Sequence, residues 1–378
     1  MDPLALQSRR VNVEDSFDAI QDYCWEQGWT DGLPVVPPTE DLVRKMLMGY
    51  GENPSASLGI IQPRNAQVTL EKVAINAVMA GCRPDYFPVV VAAVKAVLKE
   101  EFNVAGVSST TGGGAPVVMI NGPIAKELGV NGDAGCFGPG YRANASIGRA
   151  LRLVIRNIGG QIPGEMDKAT LSTPGRYTFC FSENEDRSPW EPRHVELGYS
   201  PETSIVTVAG IRGVYPVMET TVSSGIEILR TIVGTMTGNE VSNYYQIGTR
   251  TQIVLIICPE HAAEMAEYGL SKSDVREYVY QNARMSVSKL QGIAHYGNRN
   301  WPAWIDESMP SAMIPIVLAA EDIVVLVAGG DGRHSAWLAG WGVTRVTTQE
   351  ITGPTKPFPA LNKEKPWEQA AKVLTKPV

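Results

Sequence analysis

Four short segments hold the residues best suited to chemistry. In Ser108-Ser109-Thr110-Thr111-Gly112-Gly113-Gly114, three consecutive glycines leave backbone N–H groups uncovered, and the hydroxyls of Thr110 and Thr111 can donate to a carboxylate or phosphate. Gly113 and Gly114 would line an anion cradle, with Asn121 just beyond the apolar run 117–120. The spacing matches neither a P-loop nor GxGxxG, so a ligand-free crossing of the chain is the competing reading. The second segment, 132–144, opens a helix and carries Cys136, Arg142 and Asn144. A thiol just before a helix start feels the positive end of the helix dipole, which together with a nearby arginine lowers its pKa and suits it as a nucleophile. A buried, inert cysteine is the commoner fate. Arg142 and Asn144 stand where a helix start already favours anions.

The third segment, Ser182-Glu183-Asn184-Glu185-Asp186-Arg187, follows an apolar run. Carboxylates directly past a strand end sit at the rim where α/β sheets bind ligands. Glu183 is thus the first choice for a general acid or base and Glu185 the second, with Asn184 at the substrate and His194 near enough in sequence to shuttle a proton. A solvated acidic turn is the alternative. The fourth, Gly329-Gly330-Asp331-Gly332-Arg333-His334-Ser335, joins a β-branched run to a short helical pattern. That would aim His334, in a catalytic role, and Ser335, at the substrate, into a crevice at the carboxyl edge of a sheet, unless the segment is a plain tight turn. Trp29-Thr30-Asp31-Gly32-Leu33-Pro34 reads as an N-terminal staple or a wall of the pocket.

Positioning these segments requires a sizeable scaffold. Periodicity predicts helices over 15–28, 41–48, 69–82, 85–99 and 143–157, the third and fourth packing as a hairpin, and strands over 117–120, 177–181 and 204–209. In the last third, strands over 252–258, 322–328 and 343–347 alternate with helices over 259–268, from 271, and over 335–341. Ser271 with Asp274 has the pattern of a capping box. Apolar strands separated by helices imply a sheet covered on both faces. The expected fold is α/β, an N-terminal helical region plus mixed or parallel sheets covered by helices, in a two-part architecture over 1–200 and 201–353. The proline-rich tail 354–378 reads as an arm suited to subunit contacts in a homo-oligomer. A chain of 378 residues exceeds the size at which one core usually stays undivided.

A net charge of -7 and the lack of any Lys/Arg run argue against nucleic acid or an anionic membrane as partner. No apolar run is long enough to span a bilayer. Five cysteines without a CxxC pair fit a reducing, cytoplasmic setting better than a disulfide framework. The four histidines lack HxxH or HExxH spacing, so neither a metal nor another cofactor is expected.

Taken together, Trp29-Thr30-Asp31-Gly32-Leu33-Pro34, Ala80-Gly81-Cys82-Arg83-Pro84, Asn121-Gly122-Pro123, Phe137-Gly138-Pro139-Gly140 with Arg142-Ala143-Asn144, and Glu183-Asn184-Glu185 before Pro189-Trp190 resemble a poorly characterised bacterial family. Its members are often encoded beside, or fused to, a small protein with a Sec/Cys-Gly-Ser-Cys motif. The resemblance covers most of the chain and carries over no established reaction, but it implies a small thiol or selenol protein as partner. In that partner the motif follows a strand and a Gly-Asp pair, and Gly330-Asp331-Gly332-Arg333-His334-Ser335 is similar in layout with His334 where a cysteine-like group stands.

These readings converge on an enzyme acting on a small, polar, carboxylate-bearing substrate by addition, elimination or hydrolysis. Glu183 or Glu185 would be the acid/base, Gly113, Gly114, Arg142 and Asn144 the anion holders, and Cys136 a nucleophile. A thiol-linked oxidoreductase subunit and a non-enzymatic subunit of a complex are the alternatives.

Overall fold

The computed structural model describes residues 5–48, 50–222, 224–239, 241–245, 247–291 and 301–353. Helices α1 (Phe17–Glu26), α2 (Glu40–Met48), α3 (Leu70–Met79) and α4 (Phe87–Val97) come first, α3 and α4 forming the expected hairpin. Ser16 and Thr69 cap α1 and α3 through their hydroxyls. Beyond them, α/β alternation begins with β1 (Ala115–Asn121), α5 (Arg142–Asn157), β2 (Cys180–Ser182) and the 14-residue β3 (Ile205–Met218). A second round follows: α6 (Gly225–Asn239), β4 (Ile253–Ile257), α7 (Pro259–Glu267), α8 (Lys272–Asn282), β5 (Ile323–Val327), β6 (His334–Gly340) and β7 (Thr347–Glu350). The Ser271/Asp274 capping box opens α8 as its sequence predicts. No helix among the described residues is long and apolar enough to cross a membrane.

All seven of these strands join one mixed sheet in the order β2-β1-β3-β6-β4-β5, with β7 on β3. β1 runs parallel to β2 and antiparallel to β3; β4 runs parallel to β5 and antiparallel to β6; and β3 meets β6 antiparallel in the middle. Each half is therefore the same sequence of moves: a strand, a helical crossover to a parallel neighbour on its outer side, and a return strand on its inner side. The sequence shows no matching repeat. The sheet also curls until its two edges touch, because Asn184 N–H donates to the Val327 carbonyl and Gly329 N–H to the Gly132 carbonyl, both at 2.8 Å.

Curling explains why the strands are apolar on both faces. Val117, Met119, Phe181, Ile211, Val254, Ile256, Leu326 and Leu338 fill the inside of the curl. The alternate residues of β1 to β3, such as Val118, Ile120, Val206 and Val208, pack outward against α3, α4 and α5. Those of β4 and β5 do the same against α6, α7 and α8.

The helix expected over 335–341 is strand β6, and the strand expected at 343–347 lies slightly later, as β7. Seven residues are too few for periodicity to separate the two states. Here pairing decides: β6 bonds β3 along its whole length and β4 on its other side, with Trp337 and Ala339 facing the outer core and Leu338 the inner one. The tail 354–378 lies outside the described residues.

Candidate active site

β1 and β2 end side by side, and their last residues bring Asn121 and the acidic segment together. Because Asn121 and Glu183 keep the alternation of Met119 and Phe181, both turn toward the seam where β2 meets β5. Asn121 is buried, and its Nδ2 donates to Glu183 Oε2 at 2.6 Å and to Glu185 Oε1 at 3.1 Å. Its Oδ1, on the other side of the amide, is buried without a partner. Gly122, at φ +90°, turns the chain so that its own N–H donates to Glu185 Oε1 at 2.7 Å. A Cβ at Gly122 would meet the Thr203 carbonyl at 2.4 Å, so the turn is reserved for glycine.

The two glutamates differ in kind. The Glu183 side chain is 0 % exposed, and both its oxygens are used. Oε2 accepts from Asn121 Nδ2 and from Arg193 N–H at 2.9 Å; Oε1 accepts from Lys272 Nζ at 3.3 Å and Val327 N–H at 3.4 Å. The structure thus places Glu183, the expected acid/base, inside the seam with both oxygens bonded and none turned to solvent. Glu185 is 22 % exposed. Its Oε1 takes the two N–H donors above, while its Oε2 has no hydrogen bond among the described residues. The buried His194 lies behind it, Nδ1 at 3.6 Å from Glu185 Oε1 and Nε2 donating to the Pro201 carbonyl at 3.3 Å. The His194 Nδ1 is buried and makes no hydrogen bond among the described residues.

Asn184 belongs to the same place, but as a fastener: its N–H bonds Val327 and its Nδ2 donates to the Gly329 carbonyl at 3.2 Å. On the outside, Lys126 pairs with Asp186 at 2.5 Å and Arg187 with Asp331 at 2.6 Å, all four side chains substantially exposed.

The other expected residues do not converge here. Gly114 precedes β1 and Asn121 ends it, so the glycine run stands roughly 20 Å from the carboxylates, the length of a seven-residue strand. Nor is it a bare cradle. The Trp341 indole lies against Gly112 and Gly114, where a Cβ would approach within 2.2 Å and 2.7 Å, and Gly113 abuts the Ser172 backbone. Arg176 donates to the Gly112 and Gly114 carbonyls. Thr110 Oγ1 accepts from Gly112 N–H, and the Thr111 carbonyl is bonded by Thr170. Asn144 is likewise spent on backbone, accepting from Asn131 N–H and donating to the Asn131 and Cys136 carbonyls. Arg142 sits on the outer helical side, bonded to the Gly81 carbonyl at 2.9 Å. The Trp29 to Pro34 loop is stapled to α5 by Arg149, which grips Asp31 at 2.7 Å.

Cys136 is buried in the inner core, and burial pushes its thiol up to about 11, opposed in part by backbone hydrogen bonds and assisted to a lesser degree by Asp133. The lowered pKa expected of a helix start is thus reversed, because the thiolate is desolvated and α5 begins only at Arg142, well past the cysteine. All five cysteines are buried and unpaired by disulfides.

His334 and Ser335 part company on β6, the first exposed and the second buried. Ser335 Oγ lies 2.8 Å from His261 Nδ1 and accepts from Cys258 N–H at 3.0 Å; His261 Nε2 donates to the Glu219 carbonyl at 2.9 Å. Burial holds His261 below its ordinary pKa. This pair resembles a nucleophile and its base, but both side chains are sealed in the core of the second half, where they tie β6 to α7.

Sequence reasoning missed Lys272, His261 and Trp341. Lys272 left a signal: a cation at the first position of a helix opposes the dipole, which calls for a buried anion nearby, and Glu183 is that anion. Among the described residues no group of three or more His, Cys, Asp and Glu is placed to hold a metal. No protein-family model matches the chain, and no curated protein is significantly similar to it.

Proposed function

We propose that this chain is an acid–base enzyme that works at Glu185 and His194 on a small polar substrate bearing a carboxylate, by addition or elimination. The observation that carries the reading is the unequal use of the Glu185 oxygens. Oε1 is fixed by Asn121 and Gly122, so the group is oriented, whereas Oε2 is left to solvent and can take a proton from a substrate lying over it. His194 Nδ1 stands behind the carboxylate, 3.6 Å from Oε1, and adds a titratable group on the side away from the substrate. The cations for a substrate carboxylate are Lys126 and Arg187. Their present partners, Asp186 and Asp331, hold them in exposed, solvent-screened pairs, which an incoming anion can replace.

The reading is tested by proton NMR in heavy water, incubating the enzyme with a panel of small hydroxy, keto and unsaturated carboxylic acids and following deuterium uptake beside the carboxylate. The wild type should exchange or convert at least one class. Glu185→Gln should lose about 10²–10⁴-fold of that rate with an unchanged urea midpoint. An undiminished rate in Glu185→Gln rejects the assignment.

A further inference from the structure

A cavity of about 850 Å³ lies between the first three helices and the N-terminal segment, and shares no residue with the Glu185 site. Ile20 and Cys24 of α1, Val43 of α2, Ile75 and Met79 of α3, and Trp29 make its walls apolar. That volume and lining suit a small-molecule site. Burial raises the Cys24 thiol above its ordinary pKa, so the thiol is a neutral part of the wall.

Its roof is a strap. Among the described residues, no backbone–backbone hydrogen bond joins residues 5–13 to the body of the protein. The strap is held instead at two points. The buried Glu71 carboxylate accepts the N–H groups of Gln7 at 2.9 Å and Ser8 at 2.8 Å, and Arg10 pairs with Glu40 at 3.0 Å in an exposed bridge. Between these points Arg9 lines the cavity and makes no hydrogen bond or ion pair among the described residues. Its neighbours at the rim are committed: Arg10 to Glu40, Lys72 to the Gln67 carbonyl at 2.8 Å and Arg64 to Glu165 at 3.7 Å.

From this arrangement we infer that the cavity binds a molecule with an extended apolar body and one terminal carboxylate, of the fatty-acid type. The body lies along Ile20, Ile75 and Met79, and the carboxylate meets Arg9 beneath the strap. Charge decides the head group. The lining carries four cations (Arg9, Arg10, Arg64, Lys72) against three carboxylates (Asp15, Glu40, Glu71), and the cation in excess is the one without a partner. Entry requires the exposed Arg10–Glu40 bridge, the Glu71 anchor and the packing of Leu6 to open together.

The test uses the full chain, with anilinonaphthalene sulfonate as a fluorescent probe of the cavity and decanoate or decanol as competitor. Decanoate should displace the dye at lower concentration than decanol. Arg9→Gln should raise the decanoate midpoint about tenfold and leave that of decanol unchanged. Ile75→Trp, which fills the cavity, should abolish dye binding; Ala66→Trp serves the same end if thermal unfolding shows that the first variant is misfolded. Equal displacement by the two competitors, an unmoved decanoate midpoint in Arg9→Gln, or full dye binding in a folded cavity-filled variant would each overturn the inference. So would loss of dye binding as the protein self-associates, since a second copy would then be the occupant.

Discussion

Lys272 Nζ and Glu183 Oε1 meet at 3.3 Å across the line where the two halves of the sheet close, one side chain 6 % exposed and the other 0 %. Lys272 begins α8 in the second half; Glu183 follows β2 in the first. The contact continues into Glu196, 3.9 Å from Lys272 and bonded by Arg276, so a chain of charge runs from the buried seam to its partly exposed rim. The Glu185 carboxylate is held through Oε1 by the same asparagine that holds Glu183.

Removing one member of this pair leaves the other charged and buried. Glu183→Gln and Lys272→Met should each lower the stability to urea by about 3–5 kcal/mol, and the double variant by less than their sum. A double-mutant cycle measures this. Losses that simply add would mean that the two residues do not act as a pair.

Gly112 is where the indole of Trp341 rests. Gly112→Ala places a methyl 2.2 Å from the ring and should cost about 1–3 kcal/mol by overpacking. Adding Trp341→Leu should return part of that loss, because the clash is with this ring alone. If Gly112→Ala is as stable as the wild type, the run is open and the cradle reading revives.

Stability should fall on mild acidification. Burial holds the folded pKa of His261 below its ordinary value, so between that lowered pKa and about pH 6.5 the unfolded chain binds a proton that the folded one refuses. The contribution of His261 is complete above about pH 6.5 and is lost as the pH drops through the folded pKa. Thermal midpoints measured from about pH 8 to about pH 5 should decline less in His261→Gln than in the wild type; parallel curves would falsify the assignment.

Thiol reactivity should be slow. Burial pushes Cys136 up to about 11 and Cys82 up to about 12, and raises Cys24, Cys180 and Cys258 as well. Near neutral pH the folded protein should react with iodoacetamide far more slowly than free cysteine, and all five thiols should become reactive in urea. A single fast thiol in the native state would restore Cys136 as a nucleophile.

The sequence by itself determined most of the local states, with 335–341 the exception that strand pairing decided. Ile253–Ile257 and Ile323–Val327 are strands because β-branched runs between turn residues have few alternatives, and α8 starts at Lys272 because Ser271 and Asp274 cap each other. That Asn121 and the glutamates lie together was decided by the pairing of β1 with β2, since the sequence had set Asn121 beside the glycine run. Tertiary structure decided what the residues do there. Glu183 and Glu185 are two positions apart and chemically alike, and only the closing of β2 against β5 buries the first and leaves an oxygen of the second in water. The glycine run illustrates the same limit: bare backbone is equally suited to a ligand or to a side chain from elsewhere, and it was Trp341, brought over by the β6 return strand, that took the space. The burial that sets the Cys136 pKa is likewise a property of the curled sheet. Contacts between distant segments carry no local pattern, so propensity and spacing can place a residue at a site without stating whether solvent reaches it.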